Sequence, residues 1–315
     1  MSSTIQPYTT QLATAIEQEW KQFWFTPTGP DRLAWMRPLV GLIGLYTLAT
    51  YGLDLHWLLG PEGMLPVETI RTLYGESWSY LNIIPTSQLA TVHWLGMLIV
   101  GLFTLGVGIR WTSIGAAVVL LAYFQRAPML TGQAEAILSM LLVYLCVGRS
   151  GESVSVHSLL KRSPRGPSSV NKLAISNTVA TRLIQIHLAL ICLMMGFAQL
   201  TVDAWWTGEA IWLLADRPGG PLVDFTWLAR HPQWIGAWSH LVTAYLLVFP
   251  VLVWNRLACP LLLLSGIIVW ISLAVVSGQL MLCLTMLVAL LAFVPVEGVG
   301  RGRGAGGSKK REVDK

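Results

Sequence analysis

The 40 residues between Arg256 and Glu297 contain no Asp, Glu, Lys or Arg. A water-soluble chain rarely carries so long an apolar run, because elements at its surface must present a polar face. One helix crosses about 30 Å of hydrocarbon with roughly 20 residues. The stretch therefore predicts two spans, turned at Ser277-Gly278-Gln279. Composition agrees, with 54% of the 315 residues hydrophobic and 12% charged, and a mean hydropathy of +0.59. The expected fold is an all-α, polytopic membrane helical bundle, an integral multi-pass protein of the cell (inner) membrane in a bacterial host.

Six further spans are read from apolar runs near 35–59, 88–109, 111–125, 136–148, 181–203 and 234–254, giving about eight. Gly41, Gly44 and Gly52 offer close helix contact in the first. Short surface helices are expected at Val67–Tyr74 and Gly208–Ala215, within two long loops. On alternate sides of an eight-span chain, 16 Lys and Arg face one way and four face the other, with Arg182 inside a span. The positive-inside rule then puts both termini in the cytoplasm. The first 30 residues lack the basic, apolar and small-residue regions of a cleaved leader, so the first span is expected to insert the chain.

Three regions follow. Residues 1–30 form an N-terminal amphipathic surface helix, stopped by Thr26-Pro-Thr-Gly-Pro30. Residues 31–298 form the transmembrane bundle, and 299–315 a disordered basic tail. The net charge of +5 gathers in loops and tail, which fits topology and contact with membrane lipids and gives no sign of nucleic-acid binding. Cys146, Cys192, Cys259 and Cys283 lie in apolar spans without metal-type spacing and read as small hydrophobes.

One span carries polar groups. Arg182, Gln185, Ala189, Cys192, Gly196, Gln199 and Asp203 advance by threes and fours and form one stripe on a helix. Such groups at membrane depth face the protein interior or a water-filled cavity. The stripe is either the wall of a site for a quinone, lipid or polar headgroup, or a packing seam of small residues and paired polar groups. Gln199 and Asp203, near the outer loops with Trp206, are its most promising part. Arg126 and Glu135 flank the turn between two short spans, and an ion pair or hydrogen-bonded cluster is expected there. The ligand-binding candidates are thus Gln185, Gln199, Asp203, Trp206, Arg126 and Glu135. His56, His93, His231 and His240 show no HxH or HxxxH spacing, so no metal site is expected. His187 lies off the stripe and reads as a packed or hydrogen-bonded residue.

Gly60-Pro-Glu-Gly-Met-Leu-Pro66, Arg126-Ala-Pro-Met-Leu-Thr-Gly132 and the run from Gln185 through Phe197-Ala-Gln-Leu200 to Trp206-Thr-Gly-Glu-Ala210 occur in this order along the chain. In that order the three resemble the HTTM family, the membrane module related to vitamin K-dependent γ-carboxylase, over roughly Arg32 to Gly298. The resemblance implies an all-helical bundle and, in the carboxylase branch, extracytoplasmic chemistry on glutamate side chains with a reduced quinone, oxygen and CO₂. It also implies a small thiol-disulfide oxidoreductase as partner. Where the carboxylases keep a lysine base, this chain has Gln199, and Gln133 or Glu135 stands where they keep a histidine. An amide cannot act as a base near neutral pH. Only a basic tail follows Pro295, in place of the family's substrate-recognition domain. The expectation is a non-carboxylating HTTM-like protein with no catalytic residue, binding a quinone, a lipid or a membrane partner at an extracytoplasmic pocket. A quinone-dependent carboxylase-like or oxygenase-like enzyme is the alternative, and a transporter the second.

Overall fold

Asp54 and Gly60, which close the first apolar run, recur as Asp203 and Gly208 after the fifth, and these two loops divide the architecture. The computed structural model describes residues 8–29, 31–75, 79–148, 174–217 and 221–294. Their regular elements are all helices, with one isolated antiparallel bridge between Thr28 and Ala174. The connector at 149–173 and the basic tail, both read from sequence as hydrophilic, lie outside the described residues.

The elements are α1 (Tyr8–Phe25), α2 (Asp31–Leu53), α3 (Leu55–Leu59), α4 (Val67–Tyr74), α5 (Thr86–Leu105), α6 (Ile109–Arg126) and α7 (Gln133–Val147). The second half holds α8 (Ile175–Leu200), α9 (Asp203–Thr207), α10 (Ala210–Ala215), α11 (Pro232–Leu252), α12 (Cys259–Ser277) and α13 (Leu280–Leu290). Five of these, α2, α5, α8, α11 and α12, are long and apolar enough to cross a membrane. The shorter α7 and α13 are also apolar, and α6 carries Arg110 and Arg126. Fifteen residues give α7 a length of about 22 Å. The outward faces are apolar, as at Leu39 and Leu42 on α2 and Leu261, Leu264 and Ile268 on α12, all exposed. Surfaces of this kind are stable against lipid and not against water.

The second half repeats the plan of the first. Each begins with a long helix, then a loop (54–85 and 201–231) holding two short α-helices and a 3₁₀ turn, the latter Tyr80–Asn82 or Thr226–Arg230. Proline then opens the second long helix, Pro85 as the cap of α5 and Pro232 as the first residue of α11. A tight turn leads to the third helix, and Thr131-Gly132-Gln133 or Ser277-Gly278-Gln279 leads to a short fourth. The loops share a pattern as well, Asp54-x-x-Trp57-x-x-Gly60 against Asp203-x-x-Trp206-x-Gly208. Within each unit the helices pack in chain order and the fourth returns to the first.

Contacts between the units are reciprocal. The fourth helix of each unit packs on the first helix of the other (α7 on α8, α13 on α2), and like packs on like (α7 on α13, α2 on α8). Reciprocity of this kind is what a two-fold axis between the units requires. The bridge between Thr28 and Ala174 joins the residues just ahead of the two units, and the Thr28 and Thr178 hydroxyls lie 3.1 Å apart beside it. One apolar core runs through both units.

Local sequence explains the close packing. A Cβ at Gly52 would sit 2.6 Å from His93 Nε2, and one at Gly44 would sit 2.7 Å from a Leu120 methyl, so these glycines let α2 approach α5 and α6. α12 ends at Gly278 in the left-handed region, φ 65°, which admits glycine without strain. α1 leaves Leu12, Ile16 and Trp20 exposed. Phe23, next to its end, lies under the Arg182 guanidinium at 4.2 Å.

Candidate functional site

The long-loop ends of α2 and α8, the turns before α7 and α13, and the end of α12 enclose a cleft of 620 Å³. A smaller lobe of 230 Å³ adjoins it, and Tyr46, Glu135 and Met281 line both. The larger lobe takes Gln199, Trp205, Trp270, Gln279 and Arg217; the smaller takes Thr47, Thr50, Tyr51 and Leu58. Counting back from Asp54 and Asp203, Tyr46 occupies the place of Met195 and Thr50 that of Gln199. Counting on from the two Gly-Gln turns, Glu135 occupies the place of Met281. The lobes are therefore equivalent regions of the two units, meeting at the junction between them.

Gln199 sits near the end of α8, half-buried. Its Oε1 accepts a hydrogen bond of 2.8 Å from Thr243 Oγ1 on α11, which fixes the amide and leaves its N–H groups for a ligand. Glu135 occupies the third position of α7, where its Oε2 accepts the Gly132 N–H at 2.8 Å, half of a capping box. Among the described residues the only ion pair joins Lys21 to Glu17, on α1. Glu135 and Arg217 thus share the cleft without an ionic partner among these residues. No lysine or histidine lines either lobe among the described residues.

The other sequence candidates fall elsewhere. Arg126 does not meet Glu135, contrary to the expected pair. Its side chain is 1% exposed, and Nη2 donates to the Leu59 and Leu65 carbonyls at 3.1 and 2.7 Å. Backbone acceptors in the first long loop claim it, because the irregular Gly60–Leu65 segment leaves carbonyls that no helix satisfies. Gln185 belongs to the opposite end of the bundle: Nε2 donates to the Ala292 carbonyl at 2.7 Å and Oε1 accepts from Arg182 at 2.9 Å. It is a packing residue of the stripe. Asp203 begins α9 in an exposed position outside the cleft. Trp206 donates Nε1–H to the Leu200 carbonyl at 2.7 Å and borders a separate 220 Å³ cavity with His240 and Thr243. The stripe does face inward, with Gln185, Ala189, Cys192 and Gly196 all buried. His187 bonds Tyr144, at 3.0 Å between Nδ1 and the phenol oxygen.

Sequence reasoning missed Trp270, Gln279 and the small-lobe residues. Trp270 and Gln279 lie in the charge-free stretch, where spans are legible and the inward face is not. The repeated Thr/Ser-Gly-Gln before each fourth helix was the available signal. Also missed was a buried polar pair behind the small lobe, in which His93 Nδ1 lies 2.8 Å from the Tyr123 hydroxyl. The Tyr51 ring packs on Tyr123 at 5.4 Å between centroids.

The chain matches no protein-family model, no curated protein and no solved structure.

Proposed function

We propose that this chain is a multi-pass, HTTM-like membrane protein that binds a membrane amphipath, a quinone or a lipid, in the two-lobed cleft. In this reading α2, α5, α6, α7, α8, α11, α12 and α13 are eight spans with both termini cytoplasmic, and the cleft faces the extracytoplasmic side. α1 lies along the cytoplasmic membrane surface, residues 31–298 form the bundle and the basic tail touches anionic lipid. A thiol-disulfide oxidoreductase is the partner that the resemblance suggests. The observation that carries the reading is a 620 Å³ cleft walled by Trp205 and Trp270, with the Gln199 amide and the Glu135 carboxylate both on its lining. Clefts of a few hundred Å³ with apolar walls and a few fixed polar groups are the ordinary form of small-molecule sites. Carboxylation is not part of the proposal, because Gln199 cannot serve as the base.

A second reading keeps catalysis. Glu135 lines the cleft together with Gln199, so a carboxylate is available to take a proton from a bound quinol. The test is native mass spectrometry of the full chain purified in mild detergent, beside Gln199→Ala. Binding predicts a retained quinone or lipid that the variant releases. An empty wild-type protein, or equal retention by the variant, would sink it. Oxygen-dependent oxidation of a reduced quinone that stops in Glu135→Gln would select the second reading.

A further inference from the structure

We infer that the ligand of the cleft is a zwitterion, with an ammonium group against Glu135 and an acidic group against Arg217. The inference rests on the proposal that the cleft is a ligand site, and names the chemical class of that ligand.

Comparison of the two units supplies the argument. Glu135 and Met281 hold the same place, three residues past the glycine of each Gly-Gln turn. α13 starts there without a carboxylate, so the fold does not require one. Glu135 is nevertheless half-buried at the junction of both lobes, and its single hydrogen bond, from the Gly132 N–H, involves only Oε2. A carboxylate half-buried at the mouth of an apolar cleft is a natural partner for a cation. Arg126, the nearest cation in sequence, is committed to the Leu59 and Leu65 carbonyls. Arg217 lines the same cleft from the second long loop and is exposed. Among the described residues it is the only other charged one on the lining of either lobe.

One acid and one base on a shared cavity, neither satisfied by the other, complement a ligand carrying both charges. A neutral quinone would leave both groups unpaired, and a purely anionic lipid would meet Glu135. The Trp205 and Tyr46 rings lie on the same lining, where an ammonium gains from aromatic faces. Two sources share this chemistry: a zwitterionic lipid headgroup such as phosphoethanolamine, and a free amino acid.

The test titrates the full chain in mild detergent with phosphatidylethanolamine, phosphatidylglycerol and decyl-ubiquinone, read by native mass spectrometry. Phosphatidylethanolamine is expected to bind at least about tenfold more tightly than the other two, and Glu135→Gln and Arg217→Gln each to weaken it by about tenfold. Glutamine at position 135 can still cap α7, and a melting curve checks that the variants are folded. Displacement by millimolar leucine identifies a free zwitterion as the occupant, which keeps the zwitterion and overturns the amphipath; lack of displacement identifies a lipid headgroup and keeps both. Equal or tighter binding of phosphatidylglycerol, or an unchanged affinity in either variant, overturns it. Decyl-ubiquinone binding that depends on Gln199 would overturn the zwitterion alone and leave the amphipath site standing. Binding of none of the three lipids, nor of leucine added alone, would remove both.

Discussion

In the first unit the loop carbonyls beside Gly60 are held from the end of the third helix, by Arg126 reaching Leu59 and Leu65. In the second unit the carbonyl of Gly208, the glycine that corresponds to Gly60, is held from the second helix, by Ser239 Oγ at 2.9 Å. The same hydroxyl accepts the Ile211 N–H at 3.3 Å. Both solutions answer one requirement, that irregular backbone at the mouth of an apolar bundle must find partners inside the protein. They differ in what is at stake. Ser239 is small, neutral and bonded, whereas Arg126 brings a full charge into a buried position and leaves Nη1 without a partner among the described residues. Beside its glycine the first loop is thus held by a costly residue, and the second by a cheap one backed by close packing.

That contrast is open to direct attack. Arg126→Met leaves two buried carbonyls unpaired, and although it also removes the unpartnered Nη1, the net loss should be about 3 kcal/mol, the largest effect in the bundle. Thermal melting in detergent measures it, and a variant as stable as the wild type would show that Arg126 is not the anchor. Gly208→Ala comes next. Gly208 has φ 82°, and a Cβ there would lie 2.6 Å from Gly236 Cα on α11. Strain of the left-handed backbone and a clash with backbone together should cost about 2 kcal/mol. Ser239→Ala should cost about 1 kcal/mol, since it strands one carbonyl and one N–H at the loop edge. If the serine variant proved as damaging as Arg126→Met, the two anchors would be equivalent and the contrast would fail.

Five of the expected spans emerge as helices long and apolar enough to cross a membrane, because hydrocarbon imposes a length and an apolar composition that the sequence shows openly. Val67–Tyr74 and the turn at Ser277-Gly278-Gln279 emerge where the sequence places them. Partners were not legible. A sequence shows Arg126 and Glu135 nine residues apart and suggests a pair, while the carbonyls of Leu59 and Leu65, which win the guanidinium, carry no residue signature. The stripe on α8 was read correctly as an inward face, but Gln185 and Gln199 are separated by about 21 Å along the helix axis, so one face serves two ends of the bundle. The repeat was hidden by drift in spacing: Asp54 to Asp203 is 149 residues, Pro85 to Pro232 is 147, and Gly132 to Gly278 is 146. Few side chains recur, because lipid-facing positions accept any large apolar residue.

The smallest expected effect on stability is the most informative about function. Glu135→Met gives the first unit the residue that the second already has at this place, and α13 starts without help from a side chain there. Losing half a capping box should cost about 0.5–1 kcal/mol, a small shift in melting. Ligand retention should fall by about tenfold, because the carboxylate at the junction of the lobes is gone. Stability and binding thus separate in this variant, whereas the effect of Arg126→Met is on stability. If Glu135→Met instead melted as badly as Arg126→Met, the carboxylate would be a structural anchor of the first unit. If it kept both stability and ligand, the asymmetry between Glu135 and Met281 would have no part in recognition, and Gln199 against Thr50 would remain as the difference between the lobes to test.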